Sequence, residues 1–432
     1  MTKRKMKDSG VAWIGQVPEG WKCLNLLYVL RRRISDGPHE TPVCIDEGIP
    51  FISVDSLNDT EDIDFSVVKK FISQKDFELF SQRSRIEVGD ILFSKAATIG
   101  KTAIVKNLGF MVWSPLAIIK PDCEKSDTKY LYYGLNCDGL VNAARLAGSM
   151  NTQANVGMRE LEKVKVSLPP LAEQRKIAAF LDGECGKIDV LRGKVEKQIA
   201  ALEEYRKSVI TEAVTRGIKR GRKMRSSGVE WMSEVPSGWE MIRIGYLYDA
   251  VNERGNDQLP ILSVSISSGV SDKQLDDEEL DRKVNRSEDK STYKHVAVGD
   301  LTYNQMRAWQ GAFGTVTVEG MVSPAYVVCR PKSELNTRFI EYVLRTDAAM
   351  REIKRRSTGI VDFRLRLYWP EFKTLKIPYP SADEQREIAA YLDKKCAAID
   401  SMVAKCREEL DRLAEYKKSL VYEYVTGKKE VA

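Results

Sequence analysis

Residues able to do covalent or metal chemistry are sparse in this chain. It holds two histidines, His39 and His295, among 432 residues, so a histidine-based metal site or a Ser-His-Asp relay has almost no raw material. Residues 95–102 (KAATIGKT) resemble the end of a phosphate-binding loop. The position of the required first glycine is Lys95, however, and Ala103, Ile104 and Val105 read as a strand where such a loop leads into a helix. Asp362 with Glu371 and Lys373 has the composition of a metal-dependent nuclease site, but that spacing is common by chance, and Trp369 and Phe372 suit a packed element. The Pro169-Pro170 pair sits between Leu168 and Leu171. It starts a helix and does not form the Asn-Pro-Pro-aromatic motif of an amino-methyltransferase.

What remains is recognition chemistry. Residues 303–311 (YNQMRAWQG) gather Asn304, Gln305, Arg307, Trp309 and Gln310 between two strand-like runs. Asparagine and glutamine pair bidentately with adenine, and arginine with guanine, in the major groove. Residues 357–366 (STGIVDFRLR) add Arg364 and Arg366 near a glycine. Earlier in the chain, Ser94, Lys95, Thr98 and Lys101 occupy the equivalent place, and residues 148–155 (GSMNTQAN) offer Asn151, Thr152, Gln153 and Asn155. Any one of these is an ordinary polar surface loop. Their recurrence at matched places makes them candidate DNA contacts.

The loops hang on a chain that is two tandem halves. Residues 9–21 (SGVAWIGQVPEGW) recur as 227–239 (SGVEWMSEVPSGW), 227 minus 9 being 218. Residues 173–182 (EQRKIAAFLD) recur as 384–393 (EQREIAAYLD), 384 minus 173 being 211. Between them PFISVDSL (50–57) answers PILSVSIS (260–267), and Val88-Gly89-Asp90 answers Val298-Gly299-Asp300. Short apolar runs at 90–94, 102–105, 116–119 and 325–329 read as strands, and 130–135 and 338–344 as helices. Each body is a mixed domain of about 150 residues.

Each half ends in a long helix. Leu181, Ile188, Val195, Leu202 and Val209 recur every seven residues, with Ile177, Leu191 and Tyr205 at the intervening positions. Leu392, Ile399, Cys406, Leu413 and Leu420, with Ile388, Met402 and Tyr416, repeat that coiled-coil seam. At 1.5 Å per residue each helix spans roughly 65 Å, the length of a spacer. Ile199, Ile210, Val403 and Leu410 are left off this seam and are candidates for partner docking. Gly183, Gly186 and Gly193 stand where the second helix has Lys394, Ala397 and Ala404. At about 1 kcal/mol each, interior glycines indicate a close partner backbone, a hinge, or tolerated drift.

These observations predict an α+β fold: two mixed α/β domains joined by two long antiparallel coiled-coil helices in a pseudo-twofold tandem repeat. The expected divisions are 1–169, the helix 170–216, 217–379, the helix 380–426 and a tail 427–432. If the helices pair antiparallel, the chain end arrives beside the first lead-in segment as the first helix arrives beside the second. Residues 216–225 (RGIKRGRKMR) read as a solvated linker or a phosphate-backbone contact. The eight cysteines, without a C-x-x-C pair, read as reduced thiols. The basic start MTKRKMKDSG precedes no apolar run, and no 18-residue apolar stretch occurs, so the expectation is a cytoplasmic chain with no membrane contact. A net charge of +6 permits a polyanionic partner.

The doubled EQR-x-IAA-x-LD, each copy preceded by a lead-in segment ending in P-x-G-W and a variable body, resembles the specificity subunits of type I restriction-modification systems over nearly the whole chain. Residues 307–314 (RAWQGAFG) and 357–369 (STGIVDFRLRLYW) are similar to one type of target-recognition domain in that family, and 89–105 (GDILFSKAATIGKTAIV) to another. The resemblance implies a non-catalytic chain that binds double-stranded DNA and carries no cofactor of its own. Each domain would read one half of an asymmetric bipartite site, and the helices would set the gap and dock two methyltransferase subunits. Two motor-nuclease subunits would complete a complex with adenine methyltransferase and ATP-dependent endonuclease activity. A standalone restriction or methylation enzyme, and a coiled-coil adaptor with no DNA role, are the alternatives.

Overall fold

A computed structural model describes residues 4–431 apart from 41, 59, 149–154, 257, 267–268, 272–291 and 360–364. Asn151, Thr152, Gln153, Asp362 and Arg364 therefore lie outside the described residues. Contacts divide the chain into two compact units, residues 1–196 with 408–432, and residues 197–407. The divisions fall inside two long helices, Leu171–Arg216 and Ala382–Val425.

Each unit is built on a four-stranded antiparallel sheet, and strand order is the same in both. In the first it runs Ser35–Asp36, Leu116–Ile119, Ile91–Ser94, Thr102–Ile104. In the second it runs Tyr248–Val251, Tyr326–Pro331, Leu301–Asn304, Phe313–Thr315. Ile91–Ser94 is buried along its whole length, which is why these runs are continuously apolar and do not alternate. The helices Thr128–Leu135 and Thr337–Leu344 cover the sheets, with Tyr130, Leu131 and Phe339, Ile340 in the respective cores.

The Val-Gly-Asp motif makes the turn that starts the central strand. Gly89 and Gly299 hold φ of +88° and +94°, a left-handed conformation that favours glycine. The carboxylates of Asp90 and Asp300 then accept from the backbone N–H of Glu87 at 2.8 Å and Ala297 at 2.9 Å. Asp90 is fully buried and pairs with Lys120 at 2.5 Å and Arg31 at 2.9 Å. Asp300 takes Arg330 at 3.1 Å in the same place.

The repeated EQ…LD motif fastens each body to its helix. Glu173 accepts from the Trp21 indole at 3.2 Å and pairs with Arg4 at 2.6 Å; Glu384 accepts from Trp239 at 3.0 Å and pairs with Arg222 at 2.5 Å. Gln174 accepts from the N–H of Asp127, which caps one body helix, and Gln385 accepts from that of Asn336, which caps the other. Asp182 and Asp393 receive the hydroxyls of Tyr133 and Tyr342 at 2.8 and 2.7 Å. The glutamate, glutamine and aspartate of the motif are thereby structural latches.

Both helices end alike. Gly217 and Gly427 turn left-handed at φ +76° and +69°, the helix C-terminal glycine stop. Beyond Gly427 the Lys428 ammonium donates to the Ile14 carbonyl at 2.7 Å, so the chain end does arrive beside the first lead-in segment. Residues 216–225 are a docked segment and not a loose linker: Arg222 holds Glu384, Lys219 pairs with Glu387 at 3.0 Å, and Met224–Val229 pairs with Met232–Pro236.

Within each unit the helices run antiparallel. In the first, Asp189 meets Lys417 at 2.8 Å and Phe180 meets Tyr424 with ring centroids 4.5 Å apart; in the second, Arg206 meets Asp400 at 3.1 Å and Glu203 meets Arg407 at 3.5 Å. The expected heptad positions Leu181, Ile188, Val195 and Val209 are buried. Of their expected companions Ile177 and Ile388 are buried, whereas Leu191, Tyr205, Met402 and Tyr416 stand 47–56% exposed. Burial instead falls one residue later, at Cys185, Cys396 and Val403, with Arg192, Ile199, Arg206, Leu410 and Lys417 half-buried in the same register. Among the described residues no helix is long and apolar enough to cross a membrane.

Candidate nucleic-acid interface

Each sheet carries its polar residues on the hairpin loop that closes the last two strands. In the first unit residues 95–101 form that loop, and Ser94 ties it: its hydroxyl donates to the Thr98 carbonyl at 2.5 Å and accepts from the Lys101 N–H at 2.8 Å. Ala97 at the tip has φ +62°, the one non-glycine with positive φ among the described residues. Such strain persists only where surrounding bonds over-determine it, and it clusters at binding sites.

A second segment lies against this loop. Val156 donates its backbone N–H to the Lys95 carbonyl at 2.8 Å, and Asn155 is bridged to Ala96. In the second unit the loop 305–312 is held by the Asn304 N–H to the Ala312 carbonyl at 3.1 Å, a short turn at Ala308–Gln310, and Gly311 at φ +91°. There Leu367 donates to the Gln305 carbonyl at 2.9 Å, while Thr358 and Arg366 exchange backbone hydrogen bonds at 2.9 and 3.0 Å. The two cross-loop bonds are equivalent, 305 minus 95 being 210 and 367 minus 156 being 211. Both bodies therefore build one two-loop platform from different side chains.

The sequence candidates sort on this platform. Ser94 is fully buried, and Lys95, 7% exposed, pairs with Asp36 at 3.2 Å. Both face inward and are unavailable to a duplex, a correction to their expected role: loop polarity revealed neither Asp36 nor the Ser94 staple. Thr98 and Asn155 are exposed, and Lys101 is half-buried with no carboxylate partner among the described residues. In the second unit Asn304 accepts from the Met306 N–H at 2.9 Å, and Trp309 donates to the Met306 carbonyl at 3.1 Å with the Lys354 ammonium 5.0 Å from its ring. Arg307 is half-buried beside them. The side chains of Gln305 and Gln310 are half-exposed and that of Arg366 fully so. Sequence reasoning passed over Met306 and Tyr368, which stand 44% and 42% exposed on the same platform. An apolar residue inside a donor-rich loop was the signal.

The helix candidates are also corrected. Ile210 and Val403 are 8% and 9% exposed, the first inside the core of the second unit, and Ile199 and Leu410 follow the buried register. Besides Val190 and Tyr391, the exposed large apolar residues of the long helices are Leu191 with Tyr416 in the first unit and Tyr205 with Met402 in the second. These sets correspond, since 402 minus 191 and 416 minus 205 are both 211. Among the described residues no three His, Cys, Asp or Glu side chains cluster as metal ligands.

Residues 42–199 match the family described as type I restriction modification DNA specificity domain. The chain is 25% identical to the putative type I restriction enzyme MjaX specificity subunit of Methanocaldococcus jannaschii, with 96% of this chain and 95% of that one aligned. It is 24% identical to the type I restriction enzyme EcoBI specificity subunit of Escherichia coli, over 70% of this chain and 66% of that one. Its fold matches a chain from a structure concerned with complex assembly and conformational transition of the type I R-M system, with a TM-score of 0.67 at 16% identity, covering 96% of this chain and 99% of the other.

Proposed function

We infer that this chain, like type I specificity subunits in sequence and in fold, is the DNA-recognition subunit of a type I restriction-modification complex. The observation that carries the reading is the platform built twice: one backbone arrangement, held by equivalent cross-loop bonds, presents Thr98, Lys101 and Asn155 in one body and Gln305, Gln310 and Arg366 in the other. One frame with two side-chain sets suits two different half-sites, so the target is bipartite and asymmetric. The glutamate, glutamine and aspartate of the repeated motif are engaged in latching bodies to helices, which leaves the chain a reader. Adenine methylation and ATP-driven cleavage belong to two methyltransferase and two motor-nuclease subunits that it recruits.

Methylation mapping in cells carrying the complete system tests this reading. Arg366→Ala combined with Gln310→Ala will relax or abolish recognition of one half-site, each lost bidentate pair weakening discrimination by about 1–3 kcal/mol, and leave the other half-site unchanged. An identical methylation pattern from the folded double variant would sink the assignment. The helices set the gap between half-sites: four residues inserted after Gln198 add about 6 Å of rise and will lengthen the unread gap with both half-sites retained.

The matched pairs Leu191 with Tyr416 and Tyr205 with Met402 replace the four earlier candidates as the methyltransferase-docking faces. Tyr205→Asp with Met402→Asp will leave stability within about 0.5 kcal/mol per substitution, because both side chains are solvated, and will strip one methyltransferase copy from the complex. Light-scattering mass of the reconstituted complex reads this directly. Full stoichiometry in the double variant would remove those faces from the interface.

A further inference from the structure

The first unit contains a cleft of about 520 Å³, within the range of small-molecule sites. Its walls are the end of the hairpin loop at residues 99–101, the two body helices Thr128–Leu135 and Asp138–Ala147, the central helix around residues 182–192 and the terminal helix around 414–421. The floor is largely apolar, with Ile99, Val141 and Val421. Among the described residues four carboxylates line it, and each is engaged. Glu61 holds Lys106 at 2.6 Å, Asp138 holds Lys418 at 3.4 Å, Asp182 holds Lys129 at 2.7 Å, and Asp189 holds Lys417 at 2.8 Å.

Three cations on the wall are left without a carboxylate partner among the described residues: Lys101, Arg145 and Arg192. Arg145 reaches only the Ile99 carbonyl, at 3.1 Å. The Nε of Arg192 is sealed from solvent and has no hydrogen-bond partner among the described residues. Uncompensated positive charge in a part-enclosed, low-dielectric cleft focuses its field on the space it encloses, and guanidinium groups match phosphate geometry. We propose that this cleft binds a phosphate-bearing ligand of nucleotide size, its phosphates among Lys101, Arg145 and Arg192 and its apolar part on the floor.

The second unit does not repeat the arrangement. Residues 211 positions after Arg192 and Gly186 are Val403 and Ala397, the residue 210 after Lys101 is Gly311, and Arg356, 211 after Arg145, is held by Glu352 at 2.7 Å. The cleft is thus built into one unit, and it gives Gly186 a reason. A Cβ added there meets nothing within 4 Å, and the glycine lies on the cleft wall, so a bulky side chain there has room to reach across the cleft mouth.

The test is calorimetric titration of the full chain with inorganic tripolyphosphate and with ATP. The site predicts saturable binding of both probes, weakened by roughly tenfold or more in Lys101→Ala and in Arg192→Ala. Gly186→Leu, which raises helix propensity and so retains the fold, will exclude ATP. A short duplex lacking the recognition sequence is the second arm. Displacement of tripolyphosphate by the duplex identifies the natural phosphate as that of a DNA strand; no displacement identifies a free nucleotide. Absence of saturable binding of both probes, or unchanged binding in all three variants, overturns the site. A methylation pattern that persists in that event leaves the DNA-recognition reading standing.

Discussion

Asp90→Ala will destabilise the first unit by about 3 kcal/mol, because it takes from the buried Lys120 its closer counter-charge and leaves it only Glu87, 3.5 Å away. Asp90 is fully buried, and Lys120, its partner at 2.5 Å, has a side chain only 6% exposed, so solvent restores little of the lost compensation. The backbone N–H of Glu87 loses its acceptor in the same step. Asp300→Ala, the same deletion in the second unit, will cost less. The Arg330 side chain is 31% exposed and keeps Glu253 at 2.5 Å, so its charge stays partly solvated and paired. Urea unfolding of the two variants, followed by hydrogen exchange at Ile91–Ser94 and Leu301–Asn304, measures the difference. Equal losses would show that burial of the cation is not the deciding quantity.

The second large effect belongs to the indole beneath the repeated glutamate. Trp239 is 2% exposed, donates to Glu384 at 3.0 Å, and meets Phe339 edge-on with centroids 6.3 Å apart. Trp239→Ala removes that volume from a site walled by Gly217, whose added Cβ would stand 3.2 Å from the ring, and will cost about 3–5 kcal/mol. Trp239→Phe keeps most of the apolar contact and loses the N–H, so about 1–3 kcal/mol is expected. Denaturant midpoints separate the two; a loss below about 1 kcal/mol for the alanine variant would mean that the lead-in segment is not structurally required.

Tandem organisation, long helices and the strand runs were legible because period and repetition are properties of the chain itself. The helix seam was legible only in part. The heptad spacing marks Leu181, Ile188, Val195 and Val209, which are buried, but also Leu191, Tyr205, Met402 and Tyr416, where the buried positions are one residue on. Apolarity marks a residue that some surface covers, and it does not say which surface. The true companions include Arg192, Arg206 and Lys417, whose polar heads conceal the register; Arg206 and Lys417 pair across the helices with Asp400 and Asp189. The platform loops were found by their donor-rich composition. Burial of Ser94 and Lys95 was hidden because Asp36, the acid that draws Lys95 inward, lies far away in sequence.

One consequence concerns time. The second unit is a single stretch, residues 197–407, whereas the first joins residues 1–196 to 408–432. Leu420, Val421 and Val425 belong to the same apolar core as Ile177, Leu181 and Ile188, and the Val425 carbonyl accepts from the Tyr130 hydroxyl at 3.1 Å. Residues 1–196 therefore wait for residues 408–432, which follow the whole of the second unit. Until residues 408–432 emerge, the first unit shows water the helix face that they will cover. Domains usually fold in the order they emerge, and exposed apolar surface of this kind is what chaperones hold. Completion of the first unit thus depends on residues that follow the whole of the second in the chain.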